Sequence, residues 1–175
     1  MFKFNNKKEI EKIPYEIGFP TGTFFSTKTY GNDRGLSCCF RQWKADHSHC
    51  SLLHGYSLGF KLTFECDSLD ERNWVQDFGG LQELKEWLEY TFDHTIVLAE
   101  DDPQRHVFVE LEKKGLARVV VMEQVGSEKF AEEVFKRMTI LLEKHKYNET
   151  SLNPTVRVRS VECFEHGANS AGFER

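Results

Sequence analysis

Tyr56-Ser57-Leu58-Gly59-Phe60-Lys61-Leu62-Thr63-Phe64 carries an apolar side chain at every second position. Alternate residues of an extended chain share a face, so Leu58, Phe60, Leu62 and Phe64 form one apolar stripe, the mark of a strand buried on one side. Upstream, Leu36 to Trp43 is also β-compatible. The stretch between, KADHSHCSLLHG from Lys44 to Gly55, is dense in polar and metal-capable side chains. It reads as the connection of two antiparallel strands, with functional residues held at their ends.

Working outward, Leu81, Leu84 and Leu88 recur at helical spacing after Asp77, whose carboxylate suits an N-cap. DHTIVL follows the helix, then an acidic turn and a short helix started by Pro103, then a short strand from Leu116 to Met122. Ser127 opens a second long helix carrying Phe130, Val134, Met138, Leu141 and Leu142 on one face, with Glu128 near its positive end. Thr155 to Phe164 alternates Val156, Val158 and Val161 with arginines, and leads into a Gly/Asn/Ser turn and a last short strand. Residues 1–16 form a polar lead-in, and 17–31 hold a short strand or a loop. Strands at both ends with helices between imply an α+β layer: an antiparallel sheet with helices packed on one face. The whole chain, 1–175, reads as a single domain, with 1–35 as its N-terminal lead-in and 99–122 as an insertion.

A chain of 175 residues, 39% hydrophobic and 29% charged, has the profile of a globular domain. A net charge of -5 gives no generic attraction for nucleic acid or an anionic membrane. No apolar run approaches the ~20 residues that span a bilayer, and the charged N-terminal segment lacks the apolar core of an export signal. Five cysteines without framework spacing argue for a reducing compartment. The expectation is a cytoplasmic protein with no nucleic-acid or membrane partner. Cys38, Cys39, Cys66 and Cys163 read as small core residues.

Three groups of residues are suited to chemistry. His47 and His49, two apart, face one side if their segment is extended, and His54 joins them if the chain turns back at Gly55. Three imidazoles and one open position describe a catalytic zinc site; the alternative is a polar loop whose histidines bond backbone. Cys50, beside a cation, would be favoured as a thiolate base or nucleophile. Asp93-His94 is either a proton relay acting on a third group such as Cys50, or a helix C-terminus. Glu165, at the end of the last long strand, is either an ordinary strand-end carboxylate or the partner of a guanidine-like edge.

The order of these residues is more specific than any one of them. Cys50-x3-His54-Gly55, Asp77-Phe78-x2-Leu81, Phe92-Asp93-His94, Ser127-Glu128 at a helix start and a late Glu165 together resemble the 6-pyruvoyl/6-carboxy-tetrahydropterin synthases. The resemblance runs from about residue 36 to 175, and the three-residue gap between Cys50 and His54 resembles the 6-carboxy branch. It implies the T-fold, whose subunits join their sheets into barrel-like homo-oligomers, commonly hexamers built as dimers of trimers. It implies a zinc-assisted lyase acting on a small-molecule pterin, 7,8-dihydroneopterin triphosphate, for 7-deazapurine (queuosine precursor) synthesis. By resemblance Cys50, Asp93 and His94 are catalytic, Glu165 and Ser127 bind substrate, and Zn2+ is held by His47, His49 and His54. The family's paired His-Gly-His is His54-Gly55-Tyr56 here. His47 is then the nearest counterpart of the family's other histidine, at the end of the preceding strand; His49 replaces the lost ligand, with His166 in reserve. A related pterin as substrate, or a non-catalytic pterin-binding protein, are the alternatives.

Overall fold

A computed structural model of the chain describes residues 21–147, 153 and 155–175; the polar lead-in at 1–16 lies outside them. Strands β1 (Phe24–Tyr30), β2 (Leu36–Phe40) and β3 (His54–Cys66) come first. Helix α1 (Gln82–Phe92), strand β4 (Thr95–Ala99), helix α2 (Arg105–Lys113), strand β5 (Val119–Met122) and helix α3 (Ser127–Tyr147) follow. The chain closes with β6 (Arg157–His166) and β7 (Asn169–Glu174).

The thirteen-residue β3 is the axis of the sheet. On one side β1 and β2 pair end to end along it, Tyr30 opposite Phe60 and Leu36 opposite Leu58, separated by a short turn at 31–35. On its other side lies β6, and beyond that β7, all antiparallel. The expected antiparallel sheet is therefore present, with one correction: β4 and β5 extend it in parallel from β2, so the sheet is mixed. DHTIVL supplies β4, a buried strand too short to show alternation. A parallel neighbour needs a crossover, and α1 and α2 provide the two.

The apolar stripe is buried as expected: Leu58, Phe60, Leu62 and Phe64 are all fully enclosed. So are the helix faces that cover it, Leu84, Leu88 and Phe92 of α1 and Phe130, Val134 and Met138 of α3. Asp77 caps the chain as predicted, one turn earlier: its Oδ1 accepts from Gly79 N at 2.8 Å, starting a 3-10 turn (Phe78–Leu81) that runs directly into α1. In β6 the step from Val158 to Val161 breaks the alternation because the pairing with β3 slips between Thr63 and Phe64. The extra residue of a bulge restores both valines to the buried face. Among the described residues no helix is long and apolar enough to cross a membrane.

Phe130 ties the two helices to the sheet, its ring edge-on to Phe40 at 5.0 Å and to Phe92 at 5.3 Å. Phe130→Ala should cost about 3–5 kcal/mol of stability, the range for emptying a buried phenylalanine site. Urea denaturation checks this, and an unchanged midpoint would contradict the assigned core.

Candidate functional site

Glu165 continues the inward-facing row of β6 after Val161 and Cys163, both fully buried. There the β6–β7 pairing shifts between Phe164 and His166, a bulge of the kind that re-aims a side chain. The carboxylate reaches the start of α3, where Ser127 Oγ donates to Oε1 at 2.9 Å. The N-terminal end of a helix favours a negative charge. Gly126, before it, has φ 121°, and a Cβ there would meet Gln42 Nε2 at 2.7 Å. Glycine lets α3 begin this close to the segment leaving β2. The result is a cavity of about 210 Å³ lined by Gln42, Ser127, Glu128, Glu165, Asn169 and Ser170 among others.

Two carboxylates in so small a cavity suit a ligand edge rich in N–H donors and repel phosphate. Ser127 uses one of about four acceptor positions on Glu165, leaving capacity for two parallel N–H bonds. Glu165 and Ser127, both expected in substrate binding, are thus brought together. Gln42, Asn169 and Ser170 were not singled out by the sequence, since neutral polar residues in a turn carry no pattern.

The loop from Arg41 to Leu53 is not extended. Gln42 N bonds Cys50 O at 2.8 Å, Ala45 N bonds Gln42 O and Ser48 N bonds Ala45 O, a succession of turns. His49 begins a 3-10 turn (His49–Ser51) capped by Ser48, whose Oγ accepts from Cys50 N at 3.2 Å. The same-side argument for His47 and His49 therefore fails, and the His47 side chain is 84% exposed. Only His54 stands in the sheet. Its Nδ1 donates to Leu52 O at 2.8 Å, which leaves Nε2 as its one lone pair.

Around His54 the neighbours are aromatic. Phe40 lies directly opposite it in the β2–β3 pairing, ring centroids 4.7 Å apart. Tyr56, two residues on, stands 5.7 Å from His54 and 6.2 Å from Phe40. The His166 ring lies 6.1 Å from Tyr56, but both its nitrogens are 3.2 Å from partners in its own hairpin, Ala168 N and Asn169 Nδ2. Burial, with the nearby Glu165 and Cys50, raises the Tyr56 phenol above its ordinary value, so it stays protonated. Among the described residues no three His, Cys, Asp or Glu side chains are grouped so as to hold a metal ion. The chain's own residues therefore do not fit the His47, His49 and His54 zinc set implied by the resemblance. The strand before the loop ends at Phe40, so no histidine occupies its end.

Asp93 and His94 do form a pair, Oδ1 to Nδ1 2.5 Å, at the C-terminal end of α1. His94 has a left-handed backbone (φ 54°) and its N–H bonds Ser37 O. The His94 side chain is 87% exposed. His94 is tied to Ser37, near the start of β2, and Cys50 to Gln42, just past its end. Within one chain the pair and Cys50 are thus not brought to one point, and neither lines the Glu165 cavity. Cys50 is half-buried, whereas Cys38, Cys66 and Cys163 are fully buried as expected and Cys39 only partly so. Burial pushes the Cys38 thiol up to about 12, outside any reactive range.

Two ion pairs fix the loop. Arg41 grips Asp102 with two bonds, Nε–Oδ2 2.7 Å and Nη2–Oδ1 3.0 Å, and reaches Ser51 O with its third nitrogen. Burial works against the Asp102 charge, but the Arg41 and Gln104 hydrogen bonds outweigh it and lower its pKa. Next to it, the Lys44 ammonium and the Trp43 indole hold Asp101 at about 2, against an ordinary 3.8. Both folded values are depressed, so this anchoring is complete above the ordinary aspartate value and lost as pH falls through the lowered one. The Trp43 indole N–H resonance should hold its position down to about pH 4 and move as the pH approaches about 2. Asp101→Asn should displace it at neutral pH, and a resonance indifferent to both would remove Asp101 as the anchor.

With the geometry in place, three kinds of similarity bear on the chain. The sequence profile of the 6-pyruvoyl tetrahydropterin synthase family matches residues 32–175. A 6-carboxy-5,6,7,8-tetrahydropterin synthase of Rickettsia typhi is 34% identical over 56 residues, covering 31% of this chain and 41% of that protein. Its counterpart from Rickettsia conorii is 29% identical over 75 residues, covering 38% and 54%. The matched stretch thus spans about half the length of these relatives. A Wolinella succinogenes protein shares the fold at TM-score 0.70 and 18% identity, over 87% of this chain and 98% of its own. The 6-pyruvoyl tetrahydropterin synthase of Plasmodium falciparum does so at 0.59 and 12%, over 87% and 98%. With four-fifths of its length matched by the family profile, this chain belongs to the 6-pyruvoyl tetrahydropterin synthase family.

Proposed function

We propose that this chain binds a pterin with Glu165 and transforms its side chain as a lyase resembling 6-carboxy-tetrahydropterin synthase, with 7,8-dihydroneopterin triphosphate as substrate. The observation that carries the reading is the Ser127–Glu165 contact inside an acidic cavity. A pterin presents an N–C(NH2)–NH edge whose two parallel donors match one carboxylate. Glu128 favours the same donors, and the triphosphate must point away from both acids. The names of the Rickettsia relatives support the 6-carboxy branch over the pyruvoyl branch.

In this reading Glu165 orients the ring and Ser127 holds the carboxylate in place. Cys50, as its thiolate, takes a proton from the substrate side chain and becomes the neutral thiol, and the Asp93–His94 pair donates or accepts one at the imidazole, whose Nδ1 is engaged by Asp93. Because Cys50 and this pair are separated within one chain, a centre containing both draws one of them from a second copy, in a homo-oligomer such as a dimer of trimers. No step is assigned to zinc, since the chain's own donors do not fit it. The altered donor set favours a second reading, a related pterin as substrate or pterin binding without turnover.

Glu165→Gln should weaken pterin binding at least tenfold, on the scale of about 2–5 kcal/mol for losing one partner of a buried charged pair. Calorimetry with a dihydropterin measures it, and equal affinity would take Glu165 out of the site. Cys50→Ala should abolish product formation from 7,8-dihydroneopterin triphosphate, followed by mass spectrometry, yet leave binding intact. Binding without any product from the unaltered protein would decide for the second reading.

A further inference from the structure

We infer that the end of the β2–β3 pair is a metal-free aromatic wall in this chain, with Phe40 and Tyr56 standing where a zinc centre would need donors. The inference rests on family membership and on local geometry, not on the pterin chemistry proposed above. The β2–β3 pairing puts three side chains on one face: Phe40, His54 directly opposite it, and Tyr56 two residues along. Their ring centroids lie within 4.7–6.2 Å of one another. Three imidazoles in these positions would make the three-nitrogen set of a catalytic zinc site.

Only one imidazole is there. Phe40 offers no lone pair. It is 1% exposed and locked edge-on against Phe130, so it cannot swing out to admit another donor. Tyr56 is a neutral phenol, a poor ligand until it loses its proton. His54 has Nε2 alone, because Nδ1 is bound to Leu52 O. The two residues best placed to compensate do not. His166 spends its one lone pair, at Nδ1, on the Ala168 N–H of its own hairpin, and the His47 side chain is exposed. Cys50 and Glu165, each near Tyr56, complete no group of three donors.

The wall has a chemical consequence. What faces a ligand at this end of the sheet is a phenol and one imidazole nitrogen. These are hydrogen-bonding groups and proton carriers, and a substrate side chain held there meets no Lewis acid.

The test is metal content and binding, which do not depend on activity. Full-length protein is loaded with zinc chloride, dialysed and assayed by elemental analysis, with calorimetric titration of zinc in parallel. The unaltered protein should retain well below one zinc per subunit. Phe40→His/Tyr56→His should retain about one per subunit, as three imidazoles suffice for a tetrahedral site. Because Phe40 is buried, Tyr56→His alone is the second variant; it should bind zinc at least tenfold more tightly than the parent while keeping its circular dichroism. One tightly held zinc per subunit in the unaltered protein overturns the inference, and loss of it in His54→Ala would place that metal at the wall. A folded double variant that binds no zinc also overturns it, because Phe40 and Tyr56 would not then mark the seat. Pterin affinity in the unaltered protein reports separately on the Glu165 reading.

Discussion

Leu58, Phe60, Leu62 and Phe64 leave water together under α1 and α3, and the positions of everything else follow from that. Burying one such side chain is worth roughly 1.5–3 kcal/mol, so four contribute on the order of 6–12 kcal/mol before the entropy of ordering is subtracted. That is comparable to the whole net stability of a domain. Because β3 is thirteen residues long, one strand template serves β1, β2 and β6 at once. The stripe needs a lid, and Phe130 and Phe92 close it from the two helices.

The same stripe delivers the site. Continued toward its N-terminal end, the face that buries Leu58 carries Tyr56 and His54, where the helices no longer cover the sheet. Continued along β6, the face that buries Val161 and Cys163 carries Glu165 to the start of α3. Polar groups at the ends of buried rows are held by strands on one side and open on the other. Such a position is rigid on one side and accessible on the other. The 41–53 loop is held against this edge by Arg41 and Asp102, so Cys50 stays near Tyr56 without belonging to a strand.

Charge separates the two halves of the region. The Glu165 cavity is acidic and favours donor-rich edges, while the aromatic wall beside it is neutral. The loop's own cations are spent on Asp101 and Asp102. Neither half therefore offers an attraction for a phosphate group.

How far the sequence reaches is visible residue by residue. Periodicity located α1, α3, β3 and β6, because a half-buried element must repeat its apolar residues with its own geometry. The order of Cys50, His54, Asp77, Asp93, His94 and Glu165 gave the family, which the match over residues 32–175 bears out. β4 left no such trace: it is a short strand with both neighbours parallel, and alternation disappears when a strand is covered on both faces. The three histidines misled for a related reason. Spacing two apart implies a shared face only in extended chain, and the loop's turns, closed by backbone bonds from Gln42 to Ser51, are invisible to residue type. The sequence by itself determined which side chains seek the interior and which residues are equipped for chemistry, since both are properties of single residues and their periods. Only the tertiary structure decided which of them meet. The pairing of Phe40 with His54 and the reach of Glu165 to Ser127 are contacts between residues distant in the chain, set by strand register and helix placement.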